Sequence, residues 1–224
     1  MKKIAVLTSG GDSPGMNAAI RAVARAAVFH GIECYGVYRG FQGLIEGDYE
    51  LLTARSVKNL IQKGGTFLKS MRCEGFRTRE GRENAFNQLK KHEIDGLIVI
   101  GGDGSFRGAS LFGSEFDFPV IGIPSTIDND VQGTDFSIGF DTALNTVVEA
   151  IDKIRDTASS HNRLFLVEVM GRDAGNIALN AGIGAGAGEI LIPEQKIDFE
   201  ELLEALDKHK ATGKFSNIVV IAEG

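Results

Sequence analysis

The sequence predicts an α/β protein built from two Rossmann-like or flavodoxin-like three-layer αβα domains with mostly parallel sheets, the second of them incomplete. Three observations carry this. Short runs rich in Val and Ile recur along the chain, longer segments of helical period lie between them, and glycine-rich turns follow several of the runs. Such continuous apolar runs fit strands buried on both faces.

The first run, Ile4-Ala5-Val6-Leu7, follows Met1-Lys2-Lys3 directly, with no signal-peptide core ahead of it. Next comes a segment in which Ile20, Val23, Ala24, Ala27 and Val28 fall on one helical stripe. Further strands are read at Gly36-Val37-Tyr38, Leu97-Ile98-Val99-Ile100 and Val120-Ile121-Gly122-Ile123. A long helix opening near Asp141 presents Leu144, Val147, Val148, Ile151 and Ile154 on one side. Two more runs follow, Leu164-Phe165-Leu166-Val167 and Ile218-Val219-Val220-Ile221. The boundary between the groups is set near Gly139, giving a first domain over 1–138 and a second over 139–224.

Composition narrows the function classes. With 43% hydrophobic and 24% charged residues the chain is of ordinary globular type. No apolar run reaches the roughly 18 residues needed to cross a bilayer, so a cytoplasmic protein without a membrane partner is expected. Cys34 and Cys73 lie far apart and lack metal-ligand spacing. A net charge of −6 argues against general nucleic-acid binding. Against that acidic background, Arg72, Arg77, Arg79 and Arg82 gather within eleven residues, as a small anionic ligand would require.

Three glycine turns, each after a run, offer backbone N–H groups and a helix start to phosphate: Ser9-Gly10-Gly11-Asp12-Ser13-Pro14-Gly15, Gly101-Gly102-Asp103-Gly104-Ser105, and Met170-Gly171-Arg172-Asp173-Ala174-Gly175-Asn176. A single glycine turn is usually plain chain reversal; three with an acid in each point to phosphates. Neither the Walker phosphate loop nor the Gly-x-Gly-x-x-Gly dinucleotide pattern occurs. Asp103, between two glycines, is suited to magnesium, or to capping its turn. Pro124-Ser125-Thr126-Ile127-Asp128-Asn129-Asp130 places two carboxylates and a hydroxyl beside these turns. Carboxylates near phosphate call for a reason, either metal binding or removal of a proton from an incoming hydroxyl.

These motifs, taken in order with Gly139-Phe140-Asp141-Thr142-Ala143 and Met170-Gly171-Arg172, resemble the bacterial ATP-dependent 6-phosphofructokinases along the whole chain. The resemblance implies transfer of the ATP γ-phosphoryl group to the 1-hydroxyl of fructose 6-phosphate with Mg²⁺, in a homotetramer. It implies that Gly11, Arg72, Cys73, Gly102, Asp103, Gly104 and Ser105 cradle ATP, with Phe76, Arg77 and Arg82 near the nucleotide and Asp103 on magnesium. Asp128 is similar to the catalytic base, and Thr126 and Arg172 to the groups holding the phosphoryl. The sugar phosphate falls to Thr126, Ile127, Asp128, Met170, Gly171, Arg172 and Glu223, with Arg163 serving a neighbouring subunit. Small residues at Gly104 and Ser125, where pyrophosphate-dependent relatives carry Asp and Lys, favour ATP.

Arg21, Arg25, Arg55, Arg155 and Lys214 match an effector site for ADP or phosphoenolpyruvate. Thr212, Phe215 and Ser216 depart from that pattern, and Gly188 stands where a carboxylate is common, so altered regulation is expected. Family members are longer, so the chain is expected to be a fragment. NAD and lipid kinases share only the Gly101 to Gly104 turn, and a non-catalytic binding protein would lack the base at Asp128.

Overall fold

The computed structural model describes residues 1–161, 163–196, 198–211 and 218–224. The chain divides into two compact units. The first comprises Met1–Thr126 and Val131–Gly139; the second comprises Ile127–Asp130 and Phe140–Gly224.

The first unit is formed by β1 (Lys3–Thr8), α1 (Met16–Phe29), β2 (Glu33–Val37), α2 (Phe41–Glu46), β3 (Tyr49–Leu52), α3 (Arg79–Lys91), β4 (Gly96–Gly101), α4 (Asp103–Phe116), β5 (Val120–Thr126) and β6 (Ile138–Gly139). A 3-10 turn, Glu74–Arg77, precedes α3. Its sheet has the order β3-β2-β1-β4-β5-β6. All pairings are parallel except β2 with β3. Side chains alternate along β1 between two cores. Ile4 and Val6 pack with Met16, Ile20 and Ala24 of α1, whereas Ala5 and Leu7 pack with Phe41, Leu89 and Phe112 of α2, α3 and α4. The two-residue period of the strand therefore feeds both faces, and an uninterrupted apolar run results.

The second unit contains α5 (Phe140–His161), β7 (Phe165–Val169), α6 (Asn176–Gly184), β8 (Glu189–Leu191), α7 (Phe199–Ala211) and β9 (Ile218–Ala222). Its strands lie in the order β7-β9-β8, all parallel. Ile151 of α5 and Ile177 and Ala178 of α6 pack on Ile218, Val220 and Ala222 of the central strand.

The predicted α/β class with parallel sheets holds. Burial on both faces does not hold throughout: Ile121 of β5 is 62% exposed and Leu166 of β7 is 65% exposed, because these residues point away from the helices that cover the opposite side chains. Val28, expected on the buried stripe of the first helix, is 48% exposed, since the buried face of α1 runs through Met16, Asn17, Ala19, Ile20, Ala24 and Ala27 and leaves Val28 at its edge. Strand β2 starts earlier than expected, at Glu33, and ends before Tyr38. Among the described residues no helix is long and apolar enough to cross a membrane.

Candidate functional site

The first two glycine turns meet at the carboxyl ends of β1 and β4, which are neighbours in the sheet. The chain leaves β1 toward β2 on one side and β4 toward β5 on the other. The crevice at such a reversal of strand order is where ligands bind in sheets of this kind. Ser9 N donates to the Ile100 carbonyl at 3.0 Å. A Cβ on Gly101 would stand 2.6 Å from the Ser9 carbonyl oxygen, so the turns pack backbone against backbone and glycine is required there. Ser13 Oγ and Ser125 Oγ share a buried 2.8 Å hydrogen bond, fastening the first turn to β5. Thr126 ends β5, and its Cβ lies 3.5 Å from where Gly102 would carry one; the Thr126 carbonyl accepts from Ser137 Oγ at 2.7 Å. Around Gly11 and Gly104 a Cβ would meet nothing within 4 Å, leaving open space on the cradle side.

Asp103 opens α4, where the helix start favours anions and its carboxylate pairs with Arg107 Nε at 2.8 Å. Among the described residues no three His, Cys, Asp or Glu side chains cluster for a metal. A magnesium ion held at Asp103 would thus draw its other ligands from water and nucleotide phosphates, which is how this hard cation is usually held.

The arginine-rich stretch divides into two groups. Arg72 and Arg77 are exposed, Arg77 pairing with Glu74 at 3.3 Å. Cys73 Sγ donates to Gln42 Oε1 at 3.2 Å. Arg82 faces inward, its side chain 6% exposed, with Nε and Nη2 on Glu115 at 2.5 and 2.8 Å and Nη1 on the carbonyls of Phe76 and Arg77 at 3.0 and 2.7 Å. The Glu115 contact raises the Arg82 pKa and lowers that of Glu115. Phe76 stacks on Phe41, with ring centroids 4.0 Å apart. Of the residues expected near the nucleotide, Phe76 has its ring in the aromatic core, and the Arg82 guanidinium ties down the turn that carries Arg77.

In the second unit, Asp128 is 7% exposed. Its carbonyl and that of Asn129 accept from Asn176 Nδ2 at 3.0 and 3.2 Å. Asn129 is left-handed, with φ 52°. Ile127 packs against the core that contains Phe140 and Val169. The third glycine turn differs from the other two, because carboxylates of the same chain already occupy its N–H groups. Glu223 Oε1 accepts from Gly171 N at 3.1 Å and Arg172 N at 2.6 Å, and Glu194 Oε1 accepts from Gly175 N at 2.8 Å. The expectation that all three turns cradle phosphate through backbone N–H groups is corrected for this one. Its exposed assets are the side chains of Met170 and Arg172, with Arg172 left-handed at φ 54°.

The matched effector residues fall in both units. Arg21 and Arg25 lie four residues apart on α1, and Arg55 follows β3. Arg155 on α5 donates to the carbonyls of Ala185 and Gly186 at the end of α6. Arg163 is exposed just ahead of β7. Lys214, with Thr212, Phe215 and Ser216, lies outside the described residues.

A family model described as Phosphofructokinase matches residues 3–224. The chain belongs to the phosphofructokinase family. The ATP-dependent 6-phosphofructokinase of Brevibacillus brevis is 58% identical over 224 residues, which is all of this chain and 70% of that protein. The structure of phosphofructokinase from Saccharomyces cerevisiae superposes with a TM-score of 0.95 at 41% identity, covering all of this chain and 34% of the yeast chain. A pyrophosphate-dependent phosphofructokinase from Marinobacter aquaeolei superposes with a TM-score of 0.82 at 27% identity, covering 100% of this chain and 61% of that one. Within the phosphofructokinase frame, sequence reasoning had not singled out Asn176, Glu194 or Glu115. Asn176 ends the third glycine motif, which was the available signal for it; Glu194 and Glu115 act across 19 and 33 residues and carry no local motif.

Proposed function

We propose that the protein transfers the γ-phosphoryl group of ATP to the 1-hydroxyl of fructose 6-phosphate, giving fructose 1,6-bisphosphate and ADP. The observation that carries this reading is Asp128, a buried carboxylate two residues beyond the strand-end hydroxyl of Thr126, on a loop whose backbone is fastened by hydrogen bonds. In the reaction the sugar 1-hydroxyl oxygen bonds to the γ-phosphorus, the bond from that phosphorus to the β,γ-bridging oxygen breaks, and the hydroxyl proton passes to Asp128. Thr126 and Arg172 offer donors to the transferring group, whose charge is shared among its oxygens. Gly11, Arg72, Cys73, Arg77 and Gly102 to Ser105 would receive the nucleotide. Asp103 would hold Mg²⁺, which when bound neutralises phosphate charge. The Met170 side chain and the Ile127 and Gly171 backbone would line the sugar, with Glu223 beside them, while Arg163 would serve a neighbouring subunit of a homotetramer.

Two features favour ATP over pyrophosphate. The space around Gly104 is open, and Ser125 is enclosed and bonded to Ser13, so a lysine there would have to displace the turn. Arg21, Arg25, Arg55 and Arg155 support an anionic effector, ADP or phosphoenolpyruvate, testable by titrating activity with each. We place the enzyme in the cytoplasm, in glycolysis.

The test is turnover of the full-length protein with ATP and fructose 6-phosphate. Asp128→Asn should lower kcat by about 10²- to 10⁴-fold while leaving the ATP KM near that of the parent. An unchanged kcat, with chemistry rate-limiting, overturns the assignment. Gly104→Asp should raise the ATP KM by bringing a carboxylate into the nucleotide's space; equal KM values would contradict ATP binding at this turn.

A further inference from the structure

The loop bearing the proposed base is held by one side chain from α6. Asn176, the first residue of that helix, directs its amide nitrogen at the carbonyls of Asp128 and Asn129, 3.0 and 3.2 Å away. Both partners can only accept, so the side-chain nitrogen, with its two hydrogens, must be the atom that faces them. The contact falls where the loop most needs support: Asn129 is a left-handed residue directly after the base, a conformation that persists only when its surroundings impose it. Two peptide units on either side of Asn129 Cα are thereby pinned, and with them the direction in which Asp128 leaves the backbone.

Asn176 is itself held in place. The N–H of the preceding residue, Gly175, donates to Glu194 Oε1 at 2.8 Å, and a Cβ on Gly175 would stand 2.5 Å from Ile192 Cβ and 2.6 Å from Glu194 Oε2. Only glycine lets Glu194 approach this closely. No side chain caps α6 at its first turn in the usual way, so the Glu194 carboxylate is the group that faces the positive end of the helix. At the far end of the same turn, Glu223 holds the N–H groups of Gly171 and Arg172. The turn between β7 and α6 is thus clamped at both ends by carboxylates, Glu223 directly after β9 and Glu194 in the turn that follows β8.

We propose that Asn176 is a positioning residue for the catalytic loop, acting on Asp128 through the Asp128 and Asn129 carbonyls, with Glu194 fixing where Asn176 stands. The proposal rests on the reading of Asp128 as the base. It differs from a general stabilising role because it requires Asn176 to act on the rate only through Asp128.

The experiment is a double-mutant cycle on the full-length protein: parent, Asn176→Ala, Asp128→Asn and the pair, with kcat and both KM values measured alongside thermal unfolding. Misplacing a catalytic group by an ångström costs up to about 10²-fold, so Asn176→Ala should lower kcat roughly 10- to 100-fold and leave the ATP KM within about twofold. The pair should be no slower than Asp128→Asn alone, since residues acting as one unit are not additive. A kcat for Asn176→Ala within twofold of the parent overturns the proposal, as do rate losses that multiply in the pair. Should Asn176→Ala fail to fold, Glu194→Ala is read instead. It should lower kcat several-fold, and Glu194→Gln, which keeps an acceptor for Gly175 N, should recover most of the loss. Parent-like turnover in Glu194→Ala overturns the role of Glu194. If Asp128→Asn itself turns over normally, the assignment of the base has failed, an outcome distinct from any of these.

Discussion

Arg82 and Glu115 show how one residue type can serve two ends within a short stretch. Arg72 and Arg77 stay in solvent, but Arg82, five residues after Arg77, meets a carboxylate from α4 and two carbonyls of the 3-10 turn. Removing it would leave those carbonyls and Glu115 without their donors, so Arg82→Ala should lower the unfolding midpoint by roughly 5 °C or more and raise the ATP KM through a loosened turn. A variant as stable as the parent would contradict this. The Glu115 partner makes a pH-dependent prediction. Hydrogen bonds from Arg82 depress its pKa, so its contribution to stability is complete above the ordinary glutamate range and is lost as pH falls through the lower native value. The stability difference between the parent and Glu115→Gln, measured by urea unfolding, should therefore narrow below about pH 4. A constant difference from pH 6 to pH 3 would show that the ionisation of Glu115 contributes nothing to it. Cys34 offers a contrast: burial raises its thiol pKa to about 12, and it should react with thiol reagents far more slowly than Cys73.

Between residue and whole lie the elements, and here the aromatic cluster of α4 matters most. Phe112 and Phe116 join Phe86 of α3 and Phe118, and Phe112 also meets Phe76, which stacks on Phe41. Phe76→Ala should cost about 3 kcal/mol or more, read by denaturant unfolding, because the ring is buried in the aromatic core. Strands β1, β4 and β9 were legible in the sequence because each feeds apolar side chains to the sheet interior without a break. Strand β3 was not: Tyr49-Glu50-Leu51-Leu52 is a short antiparallel edge with only Leu52 buried, and β6 has just two residues. The glycine turns after β1 and β4 were legible for a local reason, since backbone approach at Gly101 leaves no room for a side chain. The inward turn of Phe76 and Arg82 was hidden, because it depends in part on Glu115, 33 residues from Arg82, and on Phe41 and Phe112, far from Phe76 in sequence. The clamp from Asn176 to the loop at Asp128 spans 48 residues and was equally invisible.

At the scale of the molecule, the two sheets have different centres of resistance. In the first unit β1 and β4 are the two central strands, and in the second β9 is the central one. Amide hydrogen exchange should be slowest in these three strands and faster in the edge strands β3 and β8; protection of β3 equal to that of β1 would contradict this ordering. The nine-residue helix α6 has a further consequence at its other end. Arg155 already neutralises the negative pole of that helix through the Ala185 and Gly186 carbonyls, so a phosphate-bearing ligand that recruits Arg155 meets a competitor within the same chain. Drawing the guanidinium away hands those carbonyls to water and frees the last turn of a helix whose first residue braces the loop of Asp128.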